Sequence, residues 1–240
     1  MSKRREQIER QKAQQRKQTM VILVVIAALA IILIGGAVAL NSSKSQPQAL
    51  VAVNEPPPQN AEKNGRAWGP VEAPITIVDF VDSQCPACGQ YVTKVEPSVI
   101  EAFAKTGKVR YEVRMLTFVG QESVNAAKAA LCAMDQDQFW QMHATIFANQ
   151  TRGENAGDFT TENLQLMAAQ LGMDKAVFNQ CLGSGKYDAV ISQDRDEASR
   201  LGVTQTPTTL INGRKYTGAQ GVNDLKRIFA DLAPDVKFSQ

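Results

Sequence analysis

The sequence predicts an α/β domain that is interrupted by an all-helical block and preceded by one N-terminal transmembrane helix. Three observations carry that expectation. Residues 20–40 are an uncharged apolar run, residues 75–81 and 109–116 read as strands on either side of a helix, and residues 121–201 keep helical spacing before strand character returns at residue 208.

The apolar run, MVILVVIAALAIILIGGAVAL, has 21 residues. At ~1.5 Å per residue it matches a hydrocarbon core of ~30 Å. The 19 residues before it hold seven basic side chains against Glu6 and Glu9. A basic flank is retained in the cytoplasm, so the larger C-terminal part is expected outside, at the cell membrane. Ala37, Val38 and Ala39 offer a small-residue cleavage pattern, which leaves a removed signal peptide as the alternative. The length of the apolar run and of the polar lead-in speaks against it. Residues 41–66 are rich in Asn, Ser, Gln and Pro, with three consecutive prolines at 56–58, and read as a flexible linker. The folded domain is expected over 67–240. Beyond the basic tail, 19 basic groups face 22 acidic ones. A mildly acidic domain of that kind argues against a nucleic-acid partner.

Within the domain, Ile75 to Val81 is a short apolar, β-branched run and reads as a buried strand. Pro86 to about Lys105 is helical in composition, and Val109 to Leu116 alternates as a second strand. The block at about 121–201 shows helical spacing at Val124, Ala127 and Leu131 and again at Leu164, Met167, Ala168 and Leu171. Thr208 to Ile211 then reads as a strand, Asn212-Gly213 as a tight turn, Lys215 to Thr217 as the returning strand and Val222 to Leu232 as a final helix. Phe139, Trp140 and Phe147 mark a core-packing helix face. His143 reads as a surface or hydrogen-bonded helical residue.

The chemistry lies in Cys85-Pro86-Ala87-Cys88. Two thiols about one helical turn apart can close a small disulfide and exchange it. If Pro86 is the first helical residue, Cys85 sits among the unpaired N–H groups of the helix start. The helix dipole then favours its thiolate, which is the attacking species, and leaves Cys88 as the buried resolving thiol. A zinc site would need two further paired ligands. His143 is the only histidine, and Cys132 and Cys181 are single, so no metal and no cofactor is expected. Asp79 stands in the middle of an apolar strand, where a carboxylate is costly unless it is partnered or protonated; the alternative is that it points outward. Asp82, at the strand end, reads as a solvated acid.

The strand followed by CxxC and a helix (IVDFVDSQCPAC), the all-helical insertion, and Thr206-Pro207 entering a late strand together resemble the DsbA-like family of thioredoxin-fold proteins over roughly residues 70–235. The resemblance implies a thioredoxin fold with an inserted helical domain and thiol-disulfide oxidoreductase activity. It implies a cis Pro207, docking of an extended substrate at Thr206 and Pro207, and proton handling by Asp79. It further implies thiols of exported proteins as substrate and a membrane redox partner. Some family members bridge cysteines placed like Cys132 and Cys181, and two buried free thiols are the alternative. Ala87 departs from the strongly oxidising family member, which has histidine there, and the expected couple is less oxidising for want of that cation. A reductase or isomerase, or a non-redox binding module, are the rival readings.

Overall fold

β2 (Ile75–Val81) occupies the centre of a five-stranded sheet of order β1-β3-β2-β4-β5, in which β1 is Ala67–Trp68, β3 Val109–Met115, β4 Thr208–Ile211 and β5 Arg214–Thr217. The structure, a computed structural model, describes residues 20, 50–53, 65–151 and 153–238. Apart from Met20, the predicted cytoplasmic tail and membrane-spanning run lie outside those residues, as does most of the linker.

β2 pairs in parallel with β3 and antiparallel with β4, so it is covered on both edges. Its apolar residues Ile75, Ile77, Phe80 and Val81 are accordingly buried. β3 shows strict alternation of buried and half-buried positions, as a strand with one face on the core should. The β4–β5 hairpin turns at Asn212 (φ 46°) and Gly213 (φ 80°), both in the left-handed region that a two-residue turn of this hand requires.

The predicted single helix over 86–105 is divided into α1 (Pro86–Lys94), α2 (Glu96–Ala102) and a 3-10 turn at Ala104–Thr106. Pro97 cannot donate a backbone hydrogen bond to the preceding turn, and the chain breaks there. The insertion comprises α3 (Gln121–Ala133), α4 (Phe139–Ala148), α5 (Thr161–Gln170), α6 (Lys175–Ser184) and α7 (Asp188–Arg200). A last helix, α8 (Val222–Leu232), buries Leu225 and Phe229. With β2, α1 and β3 at one end and the β4–β5 hairpin and α8 at the other, this is the thioredoxin plan split by a helical insertion.

Two sets of contacts tie the insertion to the sheet side. Arg66 donates twice to the Asp194 carboxylate of α7, at 2.5 and 2.8 Å, and the Met115 N–H donates to the same carboxylate at 3.0 Å. Arg114 adds a hydrogen bond to Glu197. The second set involves Leu50–Val53, which the sequence assigns to the linker. Asn149 accepts from the Val51 N–H at 2.9 Å and donates to the Val51 carbonyl at 2.8 Å, while Thr145 Oγ1 accepts from the Val53 N–H. Leu50 and Ala52 pack on the core. A short apolar stretch inside a polar segment is thus held by an amide that copies a strand partner, and the linker reading fails for these four residues.

Cys132 of α3 and Cys181 of α6 are joined in a disulfide, 49 residues apart in sequence. Closing a loop of that length removes unfolded-state entropy worth about 2–4 kcal/mol. The Cys132→Ala/Cys181→Ala double variant is expected to lose about that much stability in denaturant titration, with its far-ultraviolet circular dichroism unchanged.

Candidate active site

Cys85 is the residue before the first turn of α1, in extended backbone (φ −73°, ψ 118°), with Pro86 at the first helical position. The Cys85 N–H donates to the Asp82 carbonyl at 3.0 Å, and the Cys85 carbonyl accepts from the Gly89 N–H at 3.1 Å. The helix has no side-chain cap. Its first N–H groups therefore stay available to the Cys85 sulfur. Both cysteines are free thiols; Cys85 is half-buried and Cys88 buried. Pro86 and Ala87, between them, are exposed.

The two thiols are driven apart electrostatically. Cys85 is lowered to about 5, first by its hydrogen bond with the Cys88 side chain, against burial, and then by Thr206 and the backbone N–H groups of Cys88 and Ala87. The same hydrogen bond, joined by burial, pushes Cys88 far up. One sulfur is a ready nucleophile at neutral pH and the other keeps its proton.

Thr206 lies across from Cys85, its carbonyl 3.4 Å from Cys85 Sγ, and the Thr206-Pro207 bond is cis. Four of the residues singled out in the sequence, Cys85, Cys88, Thr206 and Pro207, are thereby brought to one place. Asp79 lies on the neighbouring strand with its side chain inward, 0% exposed. Its carboxylate accepts from Thr209 Oγ1 at 2.5 Å and Tyr91 Oη at 2.6 Å. Burial raises it to about 6, opposed by those hydroxyls and by Tyr111. Cys132 and Cys181 belong to the insertion and take no part here.

Asp82 is a correction. Expected to be solvated, it is 1% exposed. One oxygen accepts from the Gln84 N–H at 2.9 Å and Ser123 Oγ at 2.6 Å, and the other from the N–H groups of Phe118 and Val119 at 3.0 and 3.1 Å. Four donors satisfy a carboxylate that would otherwise be costly to bury. Their result is to clamp the CxxC loop, the end of β3 and the start of α3 together. Gln84 extends the clamp: it donates to Ser123 Oγ at 2.9 Å and accepts from the Asn155 N–H at 2.5 Å. Gln150 donates to the Ser83 carbonyl at 2.9 Å. Gly89 lies against that amide: a Cβ there would stand 2.1 Å from Gln150 Oε1, and the Gln150 side chain would have to swing aside. No spacing or periodicity marks these partners, which come from segments far apart in the chain. His143 is buried too, within 3.2 Å of Glu96.

Among the described residues no group of His, Cys, Asp and Glu is placed to hold a metal ion. A family model described as thioredoxin matches residues 61–231. A probable disulfide bond formation protein D of Bacillus cereus is 30% identical over 62% of this chain and 70% of its own. A Na(+)/H(+) antiporter NhaA 3 of Salinispora tropica is 35% identical over 65% of this chain. The chain spans only 23% of that antiporter's length. Among solved structures, oxidised BdbD from Bacillus subtilis superposes with a TM-score of 0.64 at 23% identity, over 75% of this chain and 97% of that one.

Two outcomes follow from the geometry. Asp82→Ala leaves buried donors without an acceptor and is expected to cost ~3 kcal/mol or more in denaturant titration. Alkylation of the reduced protein should modify Cys85 first, with a rate that rises through about pH 5. Because Cys85 falls from 9.0 to about 5 on folding, the stability it lends the reduced form is full above about pH 9 and is lost as pH drops through about 5. The gap in melting temperature between reduced and oxidised protein measures this.

Proposed function

Because the chain belongs to the thioredoxin family, we propose that it is a thiol-disulfide oxidoreductase that introduces disulfides into exported proteins from a membrane-tethered position. The observation that carries the reading is the opposed pair of thiols at a helix start, Cys85 lowered to about 5 and Cys88 pushed far up. In the oxidised protein a substrate thiolate attacks Cys85 Sγ, and Cys88 leaves and takes a proton. A second substrate thiolate then displaces Cys85, which departs as a stable thiolate. The substrate loses two electrons and gains a disulfide, and the protein keeps the electrons as its dithiol. A thiol with a low pKa leaves faster, which favours this direction.

Thr206 and Pro207 are assigned to substrate docking, the Thr206 carbonyl lying within reach of the reacting sulfur. Asp79 is assigned to proton handling, on its burial and its place in β2 next to the loop that bears the thiols. Residues 20–40 are assigned to a single membrane span with the N-terminus cytoplasmic and residues 67–240 extracytoplasmic. The likeness to the Bacillus cereus relative, whose name denotes disulfide bond formation, supports disulfide formation as the reaction. Reoxidation of the dithiol calls for a membrane redox partner.

The test is the reduction potential of the Cys85–Cys88 pair, read by thiol trapping against glutathione. Cys85 sits between the thiol of thioredoxin at ~7 and that of DsbA at ~3.5, so the potential is expected between their ~−270 and ~−120 mV. A value at or below ~−270 mV would move the protein to the reductase class. Cys85→Ser is expected to abolish oxidative refolding of a reduced substrate; retained activity would make the domain a binding module.

A further inference from the structure

Leu50–Val53 supplies no reacting group, yet the residue that holds this strap adjoins one that holds the thiol loop. The Asn149 side chain grips Val51 at both its N–H and its carbonyl, at 2.9 and 2.8 Å. The same amide donates to the Thr145 carbonyl at 2.7 Å, so one side chain closes the last turn of α4 and binds the strap. Thr145 Oγ1 accepts from the Val53 N–H at 3.0 Å. Asn149 and Thr145 are both buried. Lifting the strap away takes the Val51 N–H from Asn149 Oδ1 and uncovers the core surface on which Leu50 and Ala52 pack.

Gln150 comes next in the chain. Its amide donates to the Ser83 carbonyl, two residues before Cys85, at 2.9 Å. It also lies against Gly89, whose N–H donates to the Cys85 carbonyl at 3.1 Å. Gln150 therefore touches the chain on both sides of the reactive thiol. Farther along, the Thr151 N–H donates to Asp158 at 2.7 Å, and the Asn155 N–H donates to Gln84 at 2.5 Å. The run from Asn149 to Asn155 is thus fastened to the strap at its start and to the thiol loop at Gln150 and Asn155. One peptide bond separates the strap contact from the first thiol-loop contact, so a shift at Asn149 is felt at Gln150.

We propose that Leu50–Val53 is a positioning element of the thiol site: docked on α4, it fixes Asn149, and through the adjoining Gln150 it holds the loop that presents Cys85. The proposal concerns the placement of Cys85 and rests on the oxidoreductase reading only where turnover is measured. The groups around the Cys85 sulfur are the Cys88 thiol, the first N–H groups of α1 and, ahead of β4, Thr206. They favour the thiolate only while the sulfur stays among them. With the strap released, Gln150 slackens, the Ser83–Cys85 segment loses one of its holds, and the sulfur can move away from those donors. Cys85 then drifts back toward the ordinary thiol value and loses reactivity at neutral and acid pH. Residues that read as spacer are on this account part of the frame of the site.

The test releases the strap without altering the thiol loop or the insertion. In the full chain in detergent, Leu50→Asp/Ala52→Asp places charges where the strap meets the core, and Val51→Pro removes the N–H that Asn149 accepts without adding charge. Hydrogen exchange at the Val53 amide reports the release. The midpoint of the Cys85 alkylation rate against pH is expected to rise by about half a pH unit, an about threefold loss of thiolate below the midpoint. Gln150→Ala should give the same shift and should add nothing to strap release, because both act on one contact. A midpoint that stays in place while Val53 exchanges freely overturns the proposal and leaves the strap a contribution to stability alone. Fully additive shifts overturn the route through Gln150. The upward shift in a protein that oxidises no substrate supports the positioning and instead removes the oxidase reading.

Discussion

Everything about the thiol site depends on a carboxylate buried at the end of the central strand. Asp82 takes hydrogen bonds from the CxxC loop, from the segment after β3 and from α3, and its own carbonyl accepts from the Cys85 N–H. A charge kept in the interior is tolerable only when donors surround it, so the donors and the acceptor fix one another. The first turn of α1 then has one available position, and the reactive sulfur inherits it. The chemistry of Cys85 is local, but its placement is a product of long-range folding.

The insertion takes part in this even though it supplies no reacting group. Ser123 and Asn155 complete the clamp around Asp82 and Gln84, Gln150 holds the Ser83 carbonyl, and His143 meets Glu96 under the sheet. The Arg66–Asp194 pair and the Cys132–Cys181 bridge then keep the helices from shifting against that surface. The helical block thus works as a brace for the loop that carries the thiols.

Much of the architecture was legible in the sequence. Strand β2, the CxxC helix start, the Asn212-Gly213 hairpin and the last helix all rest on local signals, namely period, proline position and turn chemistry. What was not legible is polar and non-local. Asp79 stands inside an apolar strand, where its need for a partner shows in the sequence, while Asp82 follows the strand end and nothing in its neighbours announces the four donors it meets. Gln84 and Gln150 look like ordinary surface amides. Tyr91 and Tyr111 fit helix and strand patterns as core aromatics, and their hydroxyls reach Asp79 only because α1 and β3 pack together. The two-residue strand β1 is too short for any periodicity to reveal it.

The docking of Leu50–Val53 bears on the order of assembly. Val51 and Val53 leave the ribosome early, and their partners Asn149 and Thr145 follow 98 and 92 residues later. Until α4 has formed, the strap has nothing to close on and its N–H groups stay with water. Synthesis order and assembly order are therefore reversed for this segment, which emerges before the domain and locks only after the insertion is built.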